Sequence, residues 1–110
     1  MRIAYYQPNT SWENKHRNFN SIEQALYDLK ETVDIILLPE TFATGFTDNI
    51  EPFVEDYGVG ETMLFAQRMA REHSSMVVGT WMVRDKGLIY NRMHFVTPSG
   101  QWAIADKRHP

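Results

Sequence analysis

The feature that most constrains the fold is a short apolar run, DIILL at residues 34–38. A run that is continuously apolar over so few residues is typical of a strand covered on both faces, as in the parallel sheet of a layered α/β protein. Pro39 ends the run, and Glu40 follows it directly. The sequence therefore predicts a buried strand that stops beside a carboxylate.

An amphipathic helix is predicted before this strand. Its apolar residues recur at steps of three and four and form one stripe, at Phe19, Ile22, Leu26, Leu29 and Val33. Thr10 and Glu13 match a capping box, the pair of side chains that satisfies free backbone N–H groups where a helix begins. A β-rich run at residues 2–7 comes earlier still, so the order strand, helix, strand implies a right-handed parallel crossover.

The second half of the chain alternates in the same way and then becomes strand-rich. The predicted elements are a helix at 61–73, a strand at 76–83, a hairpin-type turn at 85–87, a strand at 88–96, a turn at 98–100 and a strand at 102–105. Acidic Glu61 near the start of this helix and basic residues near its end suit the helix dipole. The order β-α-β-α-β-β-β predicts an α/β fold whose later strands pair as antiparallel neighbours.

Length and composition set the outer limits. The 110 residues fit a single domain, and a net charge of −3 that is spread along the chain gives no basis for nucleic-acid binding. Neither a long apolar span nor a signal peptide is present, so we expect a cytoplasmic protein with no membrane partner. The four histidines lack zinc-type spacing, and the absence of cysteine removes thiolate ligands and any cysteine nucleophile from this chain. No metal or cofactor is expected.

Two charged groups follow predicted strands. Glu40 comes after the buried run, and Lys107 comes after the strand at 102–105. Reactive groups collect at the carboxyl ends of strands in open α/β sheets, so Glu40 is either a base or the first solvated residue of a loop. Lys107 is either a stabiliser of developing negative charge or part of a solvated chain end. The residues alone leave the question open for Glu40, and for Lys107 they favour the solvated chain end.

Motifs along nearly the whole chain decide between these interpretations by their order and spacing. They are the strand IAYYQ at 3–7, Asn14 and Asn18 in the first helix, LPETF at 38–42 with GF at 45–46, GET at 60–62, VGT at 78–80, YN at 90–91, FVTPSG at 95–100 and DKRH at 106–109. In this arrangement the chain resembles the nitrilase, or carbon-nitrogen hydrolase, superfamily. Its closest resemblance is to the omega-amidase branch, which hydrolyses the terminal amides of small dicarboxylic compounds.

The resemblance implies a four-layer α-β-β-α sandwich and a Glu-Lys-Cys triad that cleaves a small-molecule amide to an acid and ammonia. Glu40 would be the general base and Lys107 the stabiliser of the oxyanion. From their positions in the sequence, Tyr6, Phe42 and Phe46 either line a pocket near Glu40 or belong to the core, as aromatic residues near a sheet edge do at least as often. The chain departs from the family pattern in two respects. The family's cysteine is absent, and Pro110 stands where the family usually has Leu-Phe after the histidine.

Residues 1–110 are therefore interpreted as a partial carbon-nitrogen hydrolase domain without its C-terminal half, either truncated or the product of a short gene. We expect such a chain to be inactive alone, because the nucleophile is missing. We also expect it to form homo-oligomers, because half of the sandwich leaves a sheet face without its cover. Two alternatives remain. The chain is a complete, non-catalytic α/β binding or interaction module, or it belongs to an acyltransferase of the same superfamily.

Overall fold

The computed structural model describes residues 1–5, 14–29, 31–40 and 54–106, with the backbone alone for Pro39 and Glu40. These residues form one mixed sheet and two helices. The elements in chain order are β1 (Ile3–Tyr5), α1 (Lys15–Tyr27), β2 (Ile35–Glu40), β3 (Glu55–Asp56), α2 (Glu61–His73), β4 (Met76–Asp85), β5 (Leu88–Val96) and β6 (Trp102–Asp106). The predicted α/β class is confirmed, and the predicted order lacks only the short strand β3.

Helix α1 is shorter at both ends than the sequence predicted. It begins at Lys15, and the side chain of Asn14 accepts a hydrogen bond from the backbone N–H of Arg17. Asn14 is thus the N-cap, four residues later than the predicted start at Thr10, which lies outside the described residues. The helix ends at Tyr27, so Leu29 is not helical.

The predicted apolar stripe of α1 is correct only over the helix itself. Phe19, Ile22 and Leu26 are buried, whereas Leu29 is exposed. Val33 packs against the core from the segment before β2, and not from the helix. The helical spacing of these last two residues was therefore coincidental.

Strands β1, β2 and β4 form the parallel part of the sheet, as the crossover argument predicted. Strand β2 continues beyond Leu38, where the apolar run ends, through Pro39 to Glu40. The register between β2 and β4 shifts after Leu37, so that Glu40 is the partner of Thr80. Proline has no N–H to donate to a ladder, and this accounts for an irregularity at Pro39.

Strands β4, β5 and β6 form an antiparallel meander, which confirms the predicted pairing of the later strands. Lys86 and Gly87 both have positive φ in the turn between β4 and β5, as a two-residue hairpin of type I′ requires. Strand β5 pairs along one whole side of β4, while β2 and then β3 pair along the other side. The sequence did not predict β3 because two acidic residues give no apolar alternation.

Both helices pack on one face of the sheet. The core there contains α1, α2 and alternate residues of the strands, including Ile36, Val77, Trp81, Val83 and Val96. The predicted bounds of α2 are correct. They followed from acidic Glu61 in its first turn and from the basic residues Arg71 and His73 in its last turn.

The opposite face of the sheet, called the far face below, is also apolar. By register and strand alternation it contains Ile3, Tyr5, Ile35, Leu37, Val78, Thr80, Met82, Met93, Phe95, Ala103 and Ala105. Ile3 and Tyr5 are more than half exposed. Within the described ranges, neither helix covers this face.

A search for membrane spans finds no helix among the described residues that is long and apolar enough to cross a bilayer.

Candidate active site

Strands β1, β2, β4 and β6 run in one direction, because β5 is antiparallel to both of its neighbours. Their ends share one edge of the sheet, called the carboxyl edge below. In open α/β sheets, ligands bind outside this edge, where rigid strands hold the side chains that follow them. The carboxyl edge is therefore the candidate active site.

Glu40 is the last residue of β2, so its backbone belongs to the sheet. Its partner on β4 is Thr80, which is buried, and the register continues across the sheet through Met93 to Ala105. This places the backbone of Glu40 at the end of a strand, a position that suits either a base or a solvated carboxylate. Its catalytic role stays a prediction, because the side chain is not among those described.

The other predicted site residues lie outside the described residues. These are Lys107, the proposed oxyanion stabiliser, and Tyr6, Phe42 and Phe46, the proposed pocket residues. Lys107 directly follows Asp106, the last residue of β6. The structure thus brings the strand that ends at Glu40 and the strand that ends before Lys107 to the same edge of one sheet.

The carboxyl edge contains one buried cation that sequence reasoning missed, the guanidinium of Arg92 on β5. Its Nε lies 2.5 Å from Oδ1 of Asp106, and its Nη2 lies 3.1 Å from Oδ2 of the same carboxylate. Its Nη1 donates to Asp85, the last residue of β4, at 3.0 Å. Only 4% of the Arg92 side chain is exposed. Arg92 thus connects the ends of the two strands that flank β5.

The surroundings of Arg92 keep it charged. The rings of Tyr57 and Tyr90 each have their centroid 4.5 Å from its guanidinium carbon, a distance at which an aromatic face attracts a cation. The hydrogen bonds that Arg92 donates to Asp106 and then to Asp85 outweigh the effect of burial and raise the pKa of Arg92 well above its ordinary value. One signal of this site was in the sequence: an arginine alternates with Tyr90, His94 and Val96 on the helix-facing side of a strand.

A second buried ion pair joins the beginning of α1 to β3. Nζ of Lys15 is 2.6 Å from Oε2 of Glu55, and both side chains are about nine-tenths buried. The Glu55 carboxylate also accepts hydrogen bonds from the backbone N–H and the hydroxyl of Thr62 in the first turn of α2. Glu55 therefore serves as an N-terminal cap for α2 that is contributed by β3.

His94 is a further buried polar group on the helix-facing side. Its side chain is fully buried and stacks on Trp81 with 3.7 Å between ring centroids. Neither ring nitrogen has a hydrogen-bond partner among the described residues. Burial lowers the pKa of His94 to about 4, and the charge of Arg92 acts in the same direction. His94 is consequently a neutral part of the core near pH 7.

Within the described residues, no group of three or more His, Asp or Glu side chains is placed to hold a metal ion.

Comparisons with known proteins agree with this geometry. The family model described as carbon-nitrogen hydrolase matches residues 2–110. The solved structure of XC1258 from Xanthomonas campestris, a CN-hydrolase superfamily protein with an arsenic adduct in its active site, is 29% identical with a TM-score of 0.91. The match covers 99% of this chain and 41% of that one.

Two more distant structures share the fold. An N-terminal amidase is 20% identical, with a TM-score of 0.86, over 97% of this chain and 28% of its own. Nit3 of Saccharomyces cerevisiae, from branch 10 of the nitrilase superfamily, is 21% identical, with a TM-score of 0.80, over 99% and 44%. A comparison with curated protein sequences gives no match.

The chain thus spans less than half the length of each of these three structures. The family model nevertheless matches almost every residue of it, and the sheet and both helices superpose on all three. The protein belongs to the carbon-nitrogen hydrolase family.

Proposed function

We propose that the chain supplies the base and the oxyanion stabiliser of an amidase that hydrolyses small-molecule amides, of the omega-amide type, to an acid and ammonia. The observation that carries the proposal is the common edge reached by β2, which ends at Glu40, and by β6, which ends immediately before Lys107. Three strand spacings separate β2 from β6, roughly 14 Å in a flat sheet.

In the proposed mechanism, Glu40 removes the proton from a cysteine thiol, and the thiolate attacks the amide carbon. Lys107 stabilises the negative charge that develops on the carbonyl oxygen. As the tetrahedral intermediate collapses, the carbon-nitrogen bond breaks, and the leaving NH2 group takes the proton held by Glu40 and departs as ammonia. Water then attacks the thioester, and the acid leaves with regeneration of the thiol. The chain has no cysteine, so the nucleophile comes from residues that this sequence does not include.

The first prediction is that the purified 110-residue chain does not hydrolyse amides. Without a nucleophile no thioester can form, so a base and a cation alone cannot release ammonia from the amide by this route. The measurement is ammonia release from 2-oxoglutaramate and from simple dicarboxylic monoamides, compared with buffer. Turnover above buffer by the chain would contradict the proposed triad.

The roles of Glu40 and Lys107 are testable in a continuous reading frame beyond the codon for Pro110, if that frame encodes a cysteine behind an apolar strand. In that longer protein, Glu40→Gln and Lys107→Met should each lower kcat by roughly 100-fold or more. Glu31→Gln and Lys86→Met are matched controls. Glu31 is a mostly exposed partner of Arg2, and Lys86 lies in the β4–β5 turn. A frame without such a cysteine would favour a non-catalytic module.

A second prediction concerns self-association through the far face. Ile3→Lys and Tyr5→Lys should reduce the average mass of the chain in light scattering, because each places a charge on exposed apolar surface. Leu64→Lys is the control, since Leu64 is 65% exposed on α2 on the helix side of the sheet. A wild-type chain that is a monodisperse monomer with a cooperative melt would contradict this prediction.

A further inference from the structure

The Arg92 ion pair occupies an unusual place for a buried charge. It lies neither at an exposed corner nor in the centre of the core, but between the ends of β4 and β6 at the carboxyl edge. Its bond to Asp106 is bidentate, which fixes both the position and the orientation of the carboxylate. Asp106 is also the last residue before the proposed catalytic lysine.

Stability alone is a weak reason for a buried arginine at this position. The desolvation of the guanidinium opposes folding, and well-packed apolar residues often replace buried ion pairs with little loss of stability. A fork-shaped guanidinium with two carboxylate partners offers specific geometry instead. Arg92 also holds the end of β4 through Asp85, and β4 is the strand whose Thr80 pairs with Glu40. One side chain thus relates the β6 end to the strand beside the proposed base.

We propose that Arg92 is a positioning residue of the amidase site, which acts through Asp106 on the placement of Lys107. This inference rests on the proposed function for the importance of Lys107, but its test does not require turnover. The bidentate bond fixes the orientation of Asp106, the last residue of β6, and through it the direction in which the chain continues to Lys107. Loss of that bond releases Lys107 even when the charge of Asp106 is retained.

The test measures how fast each lysine of the intact 110-residue chain reacts with an amine-acylating reagent, by mass spectrometry of its peptides. In Arg92→Met, Lys107 should react about threefold faster relative to Lys15 and Lys86 in the same sample, because the residue before it, Asp106, loses the bidentate bond that fixes its orientation. Simple electrostatics predicts the opposite sign. Loss of a nearby positive charge favours the protonated amine, which does not react.

Asp106→Glu is the second variant, because it keeps the negative charge and disturbs only the bidentate geometry. We expect the same direction of change for Lys107, by about twofold. Asp85→Asn is the matched control, since it removes the other partner of Arg92 and should leave Lys107 unchanged. Circular dichroism of each variant shows whether the sheet remains folded.

Unchanged or slower reaction of Lys107 in both Arg92→Met and Asp106→Glu would overturn the inference. An increase in Asp85→Asn equal to that in Asp106→Glu would also overturn it, because Arg92 would then act only as a general structural contact. If Lys107 responds as expected but Lys107→Met in the longer protein hydrolyses amides normally, the proposed function is wrong and the positioning contact stands. The two failures are thus distinguishable.

Discussion

Replacement of Gly60 by alanine is expected to lower the free energy of unfolding by about 3 kcal/mol. Gly60 is the N-cap of α2, with φ 111° and ψ 165°, a region of backbone conformation that only glycine adopts readily. An added Cβ would also lie 2.5 Å from Oε1 of Glu55. The substitution therefore combines backbone strain with a steric clash.

Neither the Glu55 carboxylate nor the backbone at Gly60 can move away from this clash without a loss of stability. The Glu55 carboxylate is held from three sides, by the Lys15 ammonium and by the backbone N–H and hydroxyl of Thr62. Movement of the carboxylate would lengthen these bonds and leave a buried charge with weaker partners, at a cost of roughly 1 to 3 kcal/mol. Movement of the backbone at Gly60 would instead displace the first turn of α2.

Gly87→Ala is the matched control for the Gly60 prediction. Gly87 has φ 81°, but a Cβ built there meets no heavy atom within 4 Å. It should cost only the conformational term, roughly 1 kcal/mol. Urea unfolding at low protein concentration measures both variants. Equal losses for Gly60→Ala and Gly87→Ala would show that contact with Glu55 contributes nothing to the requirement for glycine.

The surroundings of Gly60 include both features that the sequence predicted and a contact that it did not. The bounds of α2 and of β5 were predicted correctly, because both elements have a regular period and a marked beginning or end. The ion pair that caps α2 was not predicted. Lys15 and Glu55 are forty residues apart, and no local pattern indicates that their side chains meet.

The same limit applies to the carboxyl edge. The position of Glu40 beside the end of a buried strand followed from the apolar run and Pro39, while the motifs implied its partner Lys107 through the family resemblance. Arg92 was not predicted as a site residue because its partners, Asp85 and Asp106, come from different strands. Only the pairing of β4 with β5 and of β5 with β6 brings them together. The contact of Arg92 with both carboxylates depends on strand register, which is set by tertiary pairing and cannot be read from local sequence.

The final prediction is a loss of stability in mild acid that originates at His94. In the unfolded chain its pKa is near 6.5, whereas burial lowers it to about 4 in the folded protein. At pH 7 the folded state is neutral at His94 and the unfolded state is mostly neutral, so His94 has only a small effect on the pH dependence there. As the pH falls below 6.5, the unfolded state binds a proton that the folded state resists. The free energy of unfolding should therefore fall by about 3 kcal/mol between pH 6.5 and 4.

The neighbours of His94 support this sign. Trp81 stacks on one face of the ring, Tyr57 lies 6.3 Å away between centroids, and the guanidinium of Arg92 lies two residues away on the same side of β5. Asp106 is the nearby acid that favours the protonated form, but its carboxylate is already engaged by Arg92. A proton on His94 would thus add a second buried cation beside the first, with no carboxylate of its own.

His94→Phe tests the assignment, because phenylalanine retains a ring for the stack on Trp81 and does not titrate. Its free energy of unfolding should be nearly constant between pH 6.5 and 5.5, a window that lies about one pH unit above the ordinary pKa values of aspartate and glutamate. His16→Gln is the control, since His16 is mostly exposed and its loss should leave the wild-type slope intact. If His94→Phe retains that slope and His16→Gln abolishes it, the acid sensitivity belongs to the surface and not to the buried ring. A slope lost only in His94→Phe would locate the acid-sensitive part of the fold beside Arg92, on the strand that connects the β4 and β6 ends of the carboxyl edge.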